Sequence, residues 1–211
     1  QYGGSETGFV NDRSPWNVAE YAGDPAVMKI ALFYARLRMN LLPELYRQAR
    51  RAAGTRAPMM RHLVFDYPAD ERAQRCHDQF MLGDLLVAPV LTGNTNEREV
   101  YLPEGRWYGF LTHKTFEGGR TVRVKASRAE IPVYLRTPGT VALNLPDDLL
   151  AGGDVGNRVD ALQNLVIVTS GEPDCIYADE LGGSVVLQNG KITSGSARVI
   201  SAAELAFARG V

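Results

Sequence analysis

The feature that most constrains the fold of this chain is a change in hydrophobic periodicity at Gly83. Before this glycine, apolar residues between Val27 and Leu41 recur at helical spacing, whereas after it short apolar runs follow a period close to two. The first pattern buries one stripe of a helix, and the second buries one face of a strand. The sequence therefore predicts an α/β front followed by an all-β remainder.

The front opens with a helix signal at Asp24 and Pro25, because aspartate caps the free N–H groups of a first turn and proline is tolerated there. Pro43 removes a helical hydrogen bond, so the helix should kink or restart near Leu42 and end at Gly54. Residues 59–67 form a short apolar run between two prolines, which predicts a buried strand.

A further helix is predicted over residues 70–81. Ala73 and Phe80 fall on one side of that helix, and Glu71 and Arg75 fall on the other. The predicted order of helix, strand and helix is the order found in the last unit of an α/β barrel.

Short apolar runs separated by glycine, proline and asparagine turn signals follow Gly83. They predict strands over residues 85–91, 99–102, 121–124, 131–135 and 140–145, then over residues 165–169, 184–188 and 197–200. Such spacing is typical of an antiparallel β-sandwich. A short helix is predicted over residues 201–208.

Charge and composition narrow the classes of partner. The 23 lysines and arginines nearly cancel the 24 acidic residues, so neither nucleic acid nor membrane is an expected partner. His62, His77 and His113 lack metal-ligand spacing to one another and to Cys76 and Cys175, so no metal or other cofactor is expected. Two distant cysteines do not define a disulfide, which leaves the compartment open.

Several segments carry a resemblance to a known family. They read RSPWN at 13–17, LRMNLLPELY at 37–46, PMMR at 58–61, FMLGDLLVAPV at 80–90 and VYLPEGRWY at 100–108. In this order they resemble glycoside hydrolase family 31, where the (β/α)8 barrel runs into a β-sandwich. The resemblance covers residues 13–141. It implies the end of the catalytic barrel at 1–82, a proximal β-sandwich at 83–147 and a small or truncated distal β unit at 148–211.

The resemblance also implies a chemistry. Family 31 enzymes of the α-glucosidase and α-xylosidase type hydrolyse terminal α-linked sugars with retention, through a covalent glycosyl-enzyme intermediate. Retention needs two carboxyl groups about 5 to 5.5 Å apart. In the family both carboxyl groups lie on earlier barrel strands, in segments that this sequence does not contain. No catalytic residue is therefore assigned here, and Asp84 matches a structural segment at the barrel exit.

Three residues are weak candidates for substrate binding. Tyr2 lies in a segment that resembles a sugar-contacting loop, although Gly3 and Gly4 stand where a family histidine is expected. Arg13 and Trp16 match the R-x-P-W element behind that loop. Trp16 would either cover a sugar face or pack at the start of a helix, and packing is the commoner role of such a residue.

Other readings remain open at this point. The implied partners are a carbohydrate, bound through the parent enzyme, and either the remainder of the barrel or a companion chain. The alternative is a non-catalytic carbohydrate-binding or partner-dependent β-sandwich module, for which Tyr101, Trp107, Tyr108 and Phe110 are the densest aromatic source. Trp107 itself is expected in the sandwich core. The sugar, its linkage and the oligomeric state are not specified by the sequence.

Overall fold

The structure, a computed structural model, describes residues 14–93, 95–156, 164–178 and 184–208. These residues form mostly β-sheet with few helices. The helices are α1 Pro15–Ala22, α2 Ala26–Asn40, α3 Leu42–Thr55 and α4 Glu71–Arg75, with a 3₁₀ turn at Leu63–Phe65. The first eight strands are β1 Met60–Arg61, β2 Phe80–Leu82, β3 Leu85–Val87, β4 Glu97–Leu102, β5 Arg106–Gly109, β6 Lys114–Glu117, β7 Arg120–Lys125 and β8 Val133–Thr137. The remaining strands are β9 Gly139–Asn144, β10 Leu150–Ala151, β11 Leu165–Ser170, β12 Cys175–Ala178, β13 Ser184–Gln188, β14 Lys191–Ser194, β15 Arg198–Ser201 and β16 Ala206–Phe207.

The strands assemble into one large sheet and several small ones. The large sheet is antiparallel, with the order β1-β2-β3-β8-β5-β6, and β4 pairs with β7. The first distal sheet has the order β15-β11-β9 and the second distal sheet has the order β12-β13-β14. Strand β15 runs parallel to β11, and β10 pairs in parallel with β16.

Several strands are buried on both faces and so join neighbouring layers. On β5, Trp107 packs into one hydrophobic cluster and Tyr108 into another. On β11, Val166 and Val168 face the Tyr108 cluster, whereas Ile167 faces a third cluster between the distal sheets. This division follows from the pleat, because successive side chains of a strand point to opposite faces. The described β-structure is therefore layered around three connected cores.

The helix predictions for the front are largely confirmed. Asp24 accepts a hydrogen bond from the Ala26 N–H at 3.0 Å, and α2 begins at Ala26. The helical conformation is interrupted at Leu41, between α2 and α3 and two residues before Pro43. Helix α3 continues one residue beyond the predicted stop at Gly54, and Arg56 takes the left-handed conformation there.

The predicted buried strand over residues 59–67 is wrong. Only Met60–Arg61 is extended, and it pairs antiparallel with β2 at the edge of the large sheet. The chain then enters a 3₁₀ turn, because the His62 imidazole accepts a hydrogen bond from the Val64 N–H at 3.2 Å. A side chain that caps a turn in this way competes with the ladder bonds of a strand.

The predicted helix over residues 70–81 is also wrong in its length. Helix α4 has only five residues, and Phe80–Leu82 is a strand that forms a tight hairpin with β3. Gly83 turns that hairpin with φ +59°, and a Cβ there would collide with the Glu44 carboxylate. Ladder hydrogen bonds and the packing behind the turn outweigh the helical spacing of a short segment.

Most strand predictions after Gly83 are confirmed in position, with shifts at their ends. The strand predictions omit β5, β6, β10, β12 and β14, and the predicted helix over residues 201–208 is wrong. That segment contains a turn followed by β16, whose backbone pairs with β10. The pairing partner lies more than 50 residues away, so local periodicity could not reveal it.

Candidate docking surface and polar junctions

Helix α1 presents apolar side chains that the described residues leave uncovered. Pro15 starts the helix, and Gly23 ends it in the left-handed conformation with φ 61°. No residue of α1 is buried. Trp16 is 61% exposed and Tyr21 is 96% exposed.

Helix α2 extends this exposed surface. Its inner side packs Leu37 on the Tyr108 cluster, and Asn40 is its one fully buried residue. On the outer side, Met28 and Leu32 are exposed, Leu32 at 52%. We define the docking face as the exposed apolar residues of the two helices: Trp16, Val18, Tyr21, Met28 and Leu32. Exposed large apolar side chains on two adjacent helices are typical of a surface that another element or chain covers.

The three candidate substrate residues have different outcomes. Tyr2 and Arg13 lie outside the described residues. Trp16 lies at the start of α1, and most of its indole is exposed among the described residues. Contact between these residues and a sugar stays a prediction.

A buried carboxylate anchors α3 to the β-structure. Glu44 is 0% exposed. Its oxygens accept hydrogen bonds from Arg47 at 2.8 and 3.0 Å, from Gln48 at 2.7 Å and from the Ala142 N–H on β9 at 3.0 Å. Arg47 also reaches the Cys175 thiol on β12 at 3.3 Å. The ion pair thus fixes one helix to both distal sheets.

A second junction surrounds Asp84, at the turn between β2 and β3. One carboxylate oxygen binds Arg136 and the other accepts the Thr140 N–H at 2.9 Å. Asp66 forms an ion pair with Arg61 at 2.9 Å. The contacts of Asp84 agree with the expectation that it belongs to a structural segment, since both of its carboxylate oxygens are occupied by fixed partners.

Acidic residues near α4 are held charged by their neighbours. Asp70 caps α4 and also accepts a hydrogen bond from the Tyr101 hydroxyl at 2.6 Å. Burial, followed by this hydrogen bond to Asp70, raises the pKa of Tyr101 to about 12. The hydrogen bond from Arg98 lowers the pKa of Asp78 below its ordinary value. Burial, assisted by Asp78, raises the pKa of the Cys76 thiol to about 11. A thiol of that pKa is protonated at neutral pH and is a poor nucleophile.

Two histidines that sequence spacing did not connect are neighbours in the fold. His62 Nε2 and His77 Nδ1 are 3.3 Å apart. In the described ranges, no group of three or more histidine, cysteine, aspartate or glutamate side chains is placed to hold a metal ion. The same residues contain no helix with the length and apolar character needed to cross a membrane.

The aromatic residues of the proposed carbohydrate platform are mostly buried. Trp107 is 0% exposed, as expected for a core residue, and its indole N–H donates to the Pro103 carbonyl at 2.8 Å. Tyr108 and Phe110 are buried, and Tyr101 is partly buried. These residues therefore do not form the exposed aromatic platform that the alternative of a carbohydrate-binding module would need.

The layered sheets, the few helices and the buried junctions define a β-rich domain. The sequence model of the "Glycosyl hydrolase family 31 C-terminal domain" matches residues 56–141. The chain corresponds to the C-terminal portion of a glycoside hydrolase family 31 enzyme.

Relatives agree with this family. An isomaltosyltransferase from Sporosarcina globispora is 34% identical over 85% of this chain and 17% of the relative. The cycloalternan-forming enzyme from Listeria monocytogenes, solved with a pentasaccharide substrate, has a TM-score of 0.79 at 32% identity and covers 84% of this chain and 18% of its own. A cycloalternan-degrading enzyme from Trueperella pyogenes, solved with a covalent intermediate, has a TM-score of 0.59 at 36% identity and covers 64% of this chain and 19% of its own. The chain thus spans less than a fifth of these relatives.

Proposed function

We propose that this chain is the C-terminal, non-catalytic part of a retaining α-glycosidase that acts on terminal α-linked glucosides or xylosides. In this proposal the catalytic carboxylates belong to an upstream barrel, and residues 1–82 complete the wall of that barrel. The chain then supports the active site mechanically, and the carbohydrate is bound through the parent enzyme.

One observation carries the proposal: the similarity covers 85% of this chain but only 17% of the isomaltosyltransferase. The remaining length of the relative is where the upstream barrel strands are expected. The relative solved with a covalent intermediate supports retaining chemistry, because retention proceeds through such a species. An α-glucosidase and an α-xylosidase among the relatives support the choice of substrates.

The docking face supports the same arrangement. Its apolar side chains belong to α1 and α2, which precede β1 in the part of the chain assigned to the barrel. Strand β1 is the edge of the large sheet and has one strand partner among the described residues. An apolar helical face and an open strand edge are both features that proteins normally cover. We assign the rest of the catalytic barrel as the cover.

The first expected result is that the 211-residue chain alone does not hydrolyse aryl α-glucosides or aryl α-xylosides. The reason is that retaining hydrolysis needs a matched pair of carboxyl groups, which the proposal assigns to the upstream barrel. The release of nitrophenol by the purified chain measures this directly, and the intact mass of the natural polypeptide shows whether a barrel precedes it. Robust turnover by the pure chain would contradict the proposal.

The second expected result separates the docking face from ordinary exposed apolar residues. Leu32→Asp should change the unfolding free energy of the free chain by less than about 0.5 kcal/mol, because the residue is largely exposed there. In the natural full-length enzyme the same change should lower the unfolding free energy by about 2 kcal/mol or more. The loss is larger there because the new charge is buried without a partner. Urea unfolding of both proteins provides the comparison.

Leu91→Asp is the matched control, because Leu91 is also an exposed leucine but lies outside the docking face. Equal effects of the two variants in the full-length enzyme would show that the docking face is not covered by the barrel.

A further inference from the structure

The two distal sheets do not close against each other along their whole length. Their shared core contains Ile167, Tyr177 and Leu187, and it is closed around the middle of β11 and β13. Where β9 ends near Leu145 and β13 begins at Ser184, the sheets leave a cleft of about 480 Å³. Protein interiors rarely contain voids larger than a water molecule, whereas small-molecule sites occupy about 300 to 1,000 Å³. The cleft has the size of a binding site.

The cleft has an apolar floor and a polar rim. Leu145, Val166, Tyr177 and Val185 form the floor and are all buried. The rim carries exposed polar side chains from separate segments: Asp147, Asn164, Ser184, Ser196 and Arg198. Such a lining places hydrogen-bonding groups around a surface that excludes water, which suits a ligand with one apolar face and several polar groups at its edge.

The charges of the lining select for a neutral ligand. Among the described residues that line the cleft, Asp147 and Arg198 are the charged ones and have opposite signs. This described lining therefore carries no net charge to attract a phosphate or a metal ion. Hydroxyl and amide groups at the rim, together with one carboxylate and one guanidinium, can both donate to and accept from the hydroxyl groups of a polyol.

The rim is held in place by backbone contacts. The Leu145 N–H donates to the Asn164 carbonyl at 3.2 Å, and the Leu149 N–H donates to the Pro146 carbonyl at 2.9 Å. Gly195 has φ +82°, and a Cβ there would collide with the Ser184 carbonyl. The segment before Arg198 therefore runs directly against the start of β13. A rim that is already ordered loses little conformational entropy when a ligand binds.

We propose that this cleft is a binding site for a neutral saccharide unit. The inference goes beyond the proposed function and does not depend on it, because the cleft lies entirely within this chain.

The test is a titration of the isotope-labelled 211-residue chain with isomaltotriose, followed by heteronuclear NMR. Saturable shifts should be confined to the lining of the cleft. Arg198→Ala should weaken binding about tenfold or more, because it removes a charged hydrogen-bond donor. Ser196→Trp should abolish binding by filling the mouth from an exposed position. Lys191→Ala removes an equal charge from β14 outside the cleft and should leave the affinity unchanged.

Thermal unfolding of each variant verifies that the fold is retained, so a loss of affinity reports on the site. A wild-type chain without saturable shifts overturns the inference, as do shifts located elsewhere or an equal loss in Lys191→Ala. Shifts in the cleft with 1-hexanol but not with isomaltotriose also overturn it, since they identify an apolar ligand. Binding of isomaltotriose by a chain that proves unrelated in function to an α-glycosidase would refute the proposed function and leave the cleft site standing.

Discussion

Replacing Glu44 by alanine should lower the free energy of unfolding by about 3 kcal/mol or more. Removal of one member of a buried ion pair leaves the other member without compensation, which typically costs about 3 to 5 kcal/mol. Here the loss also leaves the Ala142 N–H and the Gln48 amide without their acceptor. We expect the lower end of the range, because the Arg47 side chain is 19% exposed and keeps some contact with water.

Urea unfolding followed by circular dichroism measures this change. Glu44→Gln keeps the shape and part of the hydrogen bonding, so its effect should be smaller than that of alanine. Glu71→Ala is the control, since Glu71 forms an exposed pair with Arg75 and should cost less than about 0.5 kcal/mol. If Glu44→Ala proved as mild as Glu71→Ala, the buried junction would not be important for the stability of α3 on the sheets.

Replacing Trp107 by alanine should lower the free energy of unfolding by about 3 to 5 kcal/mol. The indole is fully buried in the cluster that also contains Met81, Leu102 and Tyr134, so its removal leaves a large cavity. The Pro103 carbonyl also loses its donor. Thermal or urea unfolding provides the measurement.

The chain supplies its own matched control, because it contains only two tryptophans. Trp16→Ala should change the stability of the free chain by less than about 0.5 kcal/mol, since Trp16 is largely exposed. The same variant leaves Trp107 as the sole indole, whose fluorescence then reports on the core. Comparable losses in the two variants would mean that Trp107 does not occupy a tightly packed site.

Local chemistry explains which elements could be predicted. The break between α2 and α3 follows from Pro43, and the start of α2 follows from Asp24, because each acts within one turn of itself. Strands such as β13 follow from a short apolar run, Val185 to Leu187, between the polar residues Ser184 and Gln188. The segments predicted wrongly, residues 59–67, 70–81 and 201–208, are short pieces that contain strands paired with other segments.

The candidate sites divide in the same way. Motifs in the sequence were sufficient to predict the family, and the comparisons confirm it. No motif predicted the exposure of Trp16 or the contact between His62 and His77. The exposure of a side chain and its contacts with distant residues depend on how all the elements pack, which is a property of the whole fold.

The sequence by itself determined the features whose causes are local: the start of α2, the break near Pro43, most of the strands after Gly83 and the family motifs. Only the tertiary structure decided what these elements contact. The Glu44 carboxylate accepts a hydrogen bond from the Ala142 N–H, which lies 98 residues away in the sequence. Arg47 donates to the Cys175 thiol, which lies 128 residues away. Helical and strand periodicities describe one element at a time, so they say which face is apolar but not which distant surface buries it. The junctions, the docking face and the distal cleft all arise at that level.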